Sequence, residues 1–247
     1  MHTSVEASAH AKARIAGALW LAVIITSTVA VFLTQPLYVP NDPAATAARL
    51  LAAESQFRFG LVANLVAGTC YIGVTVILCD LLRPVSRTLA LLTGFFGITG
   101  SAVGFAVSVV QLVPLLLLKA SYPTGFTPDQ LRSFAFISFV ANTQGFVLGM
   151  VFFGCQCITV GYLIARSTFL PRVLGVLLAV GGSTYVIGSV VTLLSPAAGA
   201  RLFPVVLAAA FLGEGSLCLW LLAKGVNLRN WEAQSGRVVP HEELATA

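Results

Sequence analysis

The sequence predicts an all-α integral membrane protein, a bundle of about six transmembrane helices, and three observations predict it. Hydrophobic residues fill 57% of the 247 positions and charged residues only 9%, against roughly 25% charged in soluble domains. So few charges cannot cover a water-facing surface, and mean hydropathy is accordingly high at +0.93. The apolar residues gather into six stretches, each long enough to cross a hydrocarbon core about 30 Å thick at about 1.5 Å per residue.

The first span is read as Ile15–Leu33, after a polar tail over residues 1–12. It is long for the apolar region of a signal peptide and runs into TQPLYVPND with no small-residue cleavage site, so it is expected to remain as a helix. In the following loop Asn41 or Asp42 can cap a helix with Pro43 in its first turn, continuing through AATAARLLAAESQF. Glu54 and Arg58 are spaced there for an i,i+4 pair. This segment is expected to be a short amphipathic helix on the outer surface, or to lead into the second span, Phe59–Leu82.

The third span is Leu89–Leu118, with Pro114 expected to kink it. Thr127-Pro128-Asp129-Gln130 fits a capping box with proline at the first helical position, so the fourth helix begins before its apolar stretch, Phe134–Ala165. These two exceed what a perpendicular crossing requires. Val173–Leu194 and Phe203–Ala223 complete the set, giving one domain over 13–226. The polar tail 227–247 is expected to be poorly ordered.

Lys and Arg placement sets the expected orientation. With the N-terminus inside, the cytoplasmic segments hold nine cations (Lys12, Arg14, Arg83, Arg87, Arg166, Arg172, Lys224, Arg229 and Arg237) and the outer segments five (Arg49, Arg58, Lys119, Arg132 and Arg201). The inner ones sit in short loops or tight against helix ends. The positive-inside rule then places both termini in the cytoplasm of a multi-pass plasma membrane protein.

Composition also excludes function classes. The net charge is +5, but the basic residues stand singly near helix ends, without the runs that grip nucleic acid. Membrane lipids are the expected partners. The five cysteines all lie in apolar segments, without a disulfide framework or a Cys-X-X-Cys pair. Cys155 and Cys157 are about 200° apart on a helix and cannot chelate one ion together. His2, His10 and His241 lie in the polar ends. No metal or other cofactor is expected from such a set.

Inside a bilayer, helices associate through close packing of small residues and through polar groups that have no water to turn to. Stripes at the helical period mark the inward faces. They are Asn64, Gly68, Tyr71, Thr75 and Cys79 on the second span, and Gly97, Gly100, Ser101, Gly104, Ser108 and Gln111 on the third. The fourth carries Asn142, Gly145, Gly149 and Gln156, and the fifth Gly181, Tyr185, Gly188 and Thr192. Read plainly, these are packing seams and interhelical hydrogen bonds. Read functionally, Asn64, Tyr71, Asn142, Gln156 and Tyr185 line a ligand cavity.

Glu214 stands apart. In FLGEGSLCLW it lies ten residues before Lys224, about 15 Å from the inner boundary and close to the bilayer midplane. An ionised, unpaired carboxylate at that depth is very costly, so the group must be protonated, hydrogen-bonded or hydrated. It is the candidate proton donor or relay, with Gly213 and Gly215 leaving room beside it and Gln156, at similar depth, as its expected partner. The plain alternative is a neutral glutamate tying two helices together. Asp80, near the inner boundary, is expected to pair with Arg83 or Arg87, and Trp20 and Trp220 read as lipid-facing or packing aromatics.

ARIAG, VPNDPAATAARLLAAES, LLRPVSRTLALL, VFFG, GYLIARSTFLPRVLGVLL and FPVVLAAAFLGEGSLCLWLLAKGV together resemble the bacterial family named domain of unknown function 4386, over about residues 13–226. The resemblance implies a small multi-pass membrane protein and carries no catalytic list. It also implies an acid at the position of Asn64 and a histidine at that of Gln156, beside a glutamate matching Glu214. An Asp, a His and a Glu facing one cavity make a metal or proton site. Two of the three are amides here, which weakens that reading and leaves Glu214 as the one strong candidate.

Three functions are compatible with these residues. The first is a helical bundle binding a lipophilic small molecule or a membrane partner in an interior cavity near Glu214. The second is an intramembrane enzyme of isomerase or cyclase type with Glu214 as general acid. The third is a small proton-coupled transporter, against which stands the lack of internal repeats and broken half-helices.

Overall fold

The structure, a computed structural model, describes residues 2–119 and 125–236, with side chains from residue 9 onward. Arg237 and His241, named above, lie outside the described residues, as does the side chain of His2. Every regular element among the described residues is helical. In chain order these are α1 (His2–Thr34), a single 3-10 turn (Gln35–Leu37), α2 (Pro43–Ala52), α3 (Glu54–Leu82), α4 (Arg87–Leu118), α5 (Pro128–Arg166), α6 (Arg172–Leu194), α7 (Pro196–Ala223) and α8 (Leu228–Gln234). Six of them, α1 and α3 to α7, are long and apolar enough to cross a membrane.

Local chemistry starts these helices. Asp42 caps α2 by accepting a hydrogen bond from the Ala45 N–H, with Pro43 next in line. Ser86 caps α4 through the Leu89 N–H. Thr127 and Gln130 close a reciprocal capping box at α5. That helix has 39 residues, about 58 Å, so its first turns overrun a hydrocarbon core of about 30 Å. Pro114 is buried inside α4 and Pro204 lies inside α7.

The six long helices form a ring in sequence order. Each packs on its neighbour in the chain, and α7 returns to α1 by the least extensive of the six contacts. The start of α1, the α3–α4 and α5–α6 loops and α8 lie together at what is here the terminal end. Residues 34–54, 125–128 and 194–196 form the far end. The main core fills the terminal half, where Trp20, Leu78, Leu81, Leu163, Ile164, Leu178, Leu217 and Leu221 are almost fully buried. A smaller core of Leu37, Leu50, Phe57, Leu115 and Phe139 lies under α2 at the far end. Large apolar side chains such as Phe59, Phe95, Val109 and Leu219 stay exposed around the outside, as lipid-facing surfaces do.

Small residues let backbones meet in the terminal half. A Cβ on Gly182 would stand 2.6 Å from the Gly154 carbonyl, and Gly161 and Gly175 face each other as closely. These four glycines fix the α5–α6 crossing, because close approach of backbones is what holds apolar helices together in lipid.

Two expectations are corrected here. The stretch after Val226 carries a further helix, α8. Asn227 caps α8, and Trp231 turns inward, is buried, and donates its indole N–H to the Leu81 carbonyl at 2.9 Å. A single aromatic residue on a seven-residue helix anchors what composition alone presents as a solvated tail. Asp80, in turn, pairs with Lys12 at 2.6 Å and not with Arg83 or Arg87. The reason is that α1 extends back to His2 and carries Lys12 alongside the end of α3.

Candidate functional site

Glu214 points into the ring. Its Oε1 accepts the Tyr185 hydroxyl of α6 at 2.8 Å and its Oε2 accepts the Trp20 indole N–H of α1 at 3.1 Å. Among the described residues no cation pairs with it. The carboxyl is thus held from two sides by neutral donors, which satisfies the demand that a polar group at this depth be hydrogen-bonded. The Tyr71 ring meets Phe153 edge-on with centroids 4.8 Å apart.

Small residues set this geometry. Gly17 of α1 presses on the backbone of Cys218 and Leu222, bringing α1 and α7 together below Glu214. Gly213 lies against the Leu177–Leu178 backbone of α6. Gly215 behaves differently from Gly213, since a Cβ there would meet only the edge of Phe211 at 4.0 Å. Gly215 shares the outward face of α7 with the exposed Phe211 and Leu219, so the side it leaves open is the outer one, and Glu214 and Tyr185 are only partly buried.

The donors decide where a proton can sit. An indole N–H can only donate, whereas a phenol can donate or accept. A proton on the carboxyl at Oε1 therefore has the Tyr185 oxygen as its acceptor, and the Tyr185 hydrogen is then released to another acceptor. An ionised Glu214 accepts from both neighbours, whereas a protonated one donates to Tyr185 only when the phenol O–H turns to another acceptor.

The other named residues occupy separate positions. Gln156 does not partner Glu214: its amide N–H donates to Thr75 Oγ1 at 3.0 Å, and its Oε1 is buried without a hydrogen-bond partner among the described residues. Gly97 makes room for that contact, since a Cβ there would stand 2.6 Å from both Thr75 Oγ1 and Gln156 Nε2. Asn64 donates to Gln111 Oε1 at 3.1 Å, joining α3 to α4. Asn142 donates to the Val107 carbonyl at 3.0 Å, joining α5 to α4. Asn64, Gln156 and Glu214 thus engage three different sets of partners.

Sequence reasoning missed Trp20, read as a packing or lipid-facing aromatic. A signal was present: Ala13, Ala16 and Gly17 precede Trp20 at helical spacing, and all four are buried on one face. A small-residue seam ending in an indole marks a face that must supply an N–H partner.

Fold and site together define an all-helical multi-pass membrane protein with one hydrogen-bonded carboxyl inside its ring. The chain belongs to the family described as domain of unknown function (DUF4386), whose model matches residues 15–225. It is similar to an uncharacterized protein of Archaeoglobus fulgidus, 26% identical over 155 residues that cover 63% of this chain and 76% of the relative. No solved structure matches.

Proposed function

We propose that the chain is a membrane-embedded binding protein for a lipophilic molecule carrying a hydrogen-bond donor, with Glu214 as the group that recognises it. One observation carries this reading. A carboxyl within an apolar ring is held by two neutral donors, no cation pairs with it among the described residues, and it is only partly buried. Such a group has acceptor capacity left over, because a carboxylate offers about four lone-pair sites and two are used. The contact between α7 and α1 is the least extensive in the ring and offers a lateral route from the bilayer. Tyr185 and Tyr71 supply the amphipathic wall of the site.

The same reading places the protein in the plasma membrane with both termini in the cytoplasm, supported by the nine cations assigned to the terminal end and its short loops. In that orientation α2, with Thr46, Ala47 and Leu50 turned inward, lies along the outer surface. A second reading has one observation in its favour. The Glu214–Tyr185 pair is a proton donor in contact with the site, which is what an acid-catalysed isomerisation of a lipophilic substrate requires.

Native mass spectrometry of the protein released in its own lipids tests the proposal. The wild type is expected to retain a small molecule at one per chain, and Glu214→Leu to lose it while still folded. A wild type that carries nothing, or a Glu214→Leu variant that retains the same mass, overturns the binding role. Conversion of the retained molecule by wild type and not by Glu214→Gln decides for the enzyme.

A further inference from the structure

A concavity lies at the terminal end, away from Glu214. It is an open cleft of about 320 Å3 between the α5–α6 loop (Thr168, Phe169, Leu170, Pro171) and the end of α7 with the turn into α8 (Trp220, Lys224, Gly225, Val226, Asn227). Its floor is firm: Phe169, Leu170 and Val226 are buried, and the Asn227 N–H donates to the Phe169 carbonyl at 3.1 Å. Gly225 turns the chain there with φ +66°, its N–H closing onto the Trp220 and Leu221 carbonyls. That turn delivers Lys224 to the rim.

The surroundings of the cleft are those of a membrane boundary. α5 ends at Arg166, α6 begins at Arg172 and α7 ends at Ala223, so apolar spans give way to polar loop at this level. Above it the outer faces of α6 and α7 show exposed Val173, Val176 and Leu219. Trp220 brings an indole to the same level, where amphipathic rings settle between acyl chains and headgroups. The exposed Lys224, Arg172 and Arg229 have no ion-pair partner among the described residues. Pro171, which caps α6, makes no side-chain bond to that helix's first N–H groups.

We propose that this cleft is a binding site for an anionic glycerophospholipid of the surrounding leaflet. Lys224 meets the headgroup phosphate, Trp220 lies against the glycerol region, and the acyl chains run along the exposed faces of α6 and α7. Charge selects the occupant: the one cation lining the cleft, Lys224, is without an ion-pair partner among the described residues, and the surface leading away from it is apolar, so the ligand that fits is an anion at one end and hydrocarbon at the other. A free phosphate satisfies the first half only. The site is independent of the interior carboxyl and stands or falls without it.

The test uses the full chain in mild detergent, titrated with phosphatidylglycerol or with phosphatidylcholine of the same acyl chains and followed by native mass spectrometry. Phosphatidylglycerol is expected to be retained about fivefold better, and Lys224→Ala to lower its retention about fivefold, the weight of one lysine at an anionic surface. Lys224→Arg is expected to restore retention. Arg132→Ala, at the far end in a pair with Asp129, is expected to change neither lipid. Equal retention of the two lipids by the wild type, or undiminished phosphatidylglycerol on Lys224→Ala, overturns the proposal, as does displacement of the lipid by millimolar inorganic phosphate. Should Lys224→Ala fail to fold, thermal melting of the wild type decides, with a larger rise in phosphatidylglycerol supporting the site and equal rises overturning it.

Discussion

The two halves of the ring are fastened by different means. In the terminal half glycines are pressed against backbone: Gly154 against Gly182, Gly161 against Gly175, and Gly17 against Cys218 and Leu222. In the far half the glycines between α4 and α5 face side-chain tips or nothing, although Gly199 of α7 is pressed on the Thr192 backbone. Gly145 meets only Val107, Gly149 has one ordinary contact with Val103, and a Cβ on Gly104 would touch nothing within 4 Å. What joins helices there is a set of single polar bonds, Asn64 to Gln111 and Asn142 to the Val107 carbonyl. One half is therefore held by shape and the other by hydrogen bonds, and Glu214 with its two donors lies inside the ring as a third kind of tie. Shape-held interfaces leave no spare volume, whereas bonded ones tolerate gaps.

The largest effects should come from the shape-held half. Trp231→Ala removes a buried ring and leaves the Leu81 carbonyl without its donor. A loss of about 3 kcal/mol is expected, read as the shift in unfolding midpoint of the reconstituted protein. A shift under a third of that size means α8 does not clamp the terminal end. Gly182→Ala places a methyl 2.6 Å from the Gly154 carbonyl, where neither backbone can yield. It is expected to cost about 2 kcal/mol, within the usual range for overpacking, and Gly104→Ala next to nothing. Equal costs for the two glycines erase the distinction between the halves.

The spans and their inward faces are legible in the sequence, and the contrast between the halves is not. The six spans follow from hydropathy and length alone, and the stripes Gly97–Gly104, Asn142–Gln156 and Asn64–Thr75 mark faces correctly, because a helical wheel fixes angle. A wheel does not fix how far one helix is shifted along another, and that shift decides partners. Gln156 and Glu214 were matched by depth, yet Gln156 bonds Thr75 and Glu214 bonds Trp20 and Tyr185. Asp80 was given its sequence neighbours Arg83 and Arg87, but the extension of α1 past its apolar stretch presents Lys12 instead. α8 escaped notice because seven residues with one tryptophan carry no periodic signal.

Glu214→Leu tests the tie between α1, α6 and α7. It strips the partner from the Trp20 N–H and the Tyr185 hydroxyl, and a buried donor without an acceptor costs about 1–2 kcal/mol. Glu214→Gln keeps an oxygen for Trp20 and an amide that can donate to the phenol, so its unfolding midpoint is expected to stay near wild type. If the two variants unfold alike, the hydrogen bonds contribute nothing and the carboxyl is kept for another reason.

The smallest effect belongs to Asn64→Leu in the bonded half. The change deletes one interhelical hydrogen bond to Gln111, and such bonds in membranes average about 0.6 kcal/mol. Gln111 is buried, so its amide needs a new partner, which in a gapped interior a water can provide. The expected midpoint shift is accordingly about 0.6 kcal/mol, roughly a fifth of that for Trp231→Ala. The double variant Asn64→Leu with Gln111→Leu sharpens the point. In a half held by bonds and open to water, deleting both partners recovers most of the loss, because no buried polar atom is left alone. Were the double variant instead as damaging as Gly182→Ala, the far half would be packed as tightly as the terminal half, and the difference between the two would vanish.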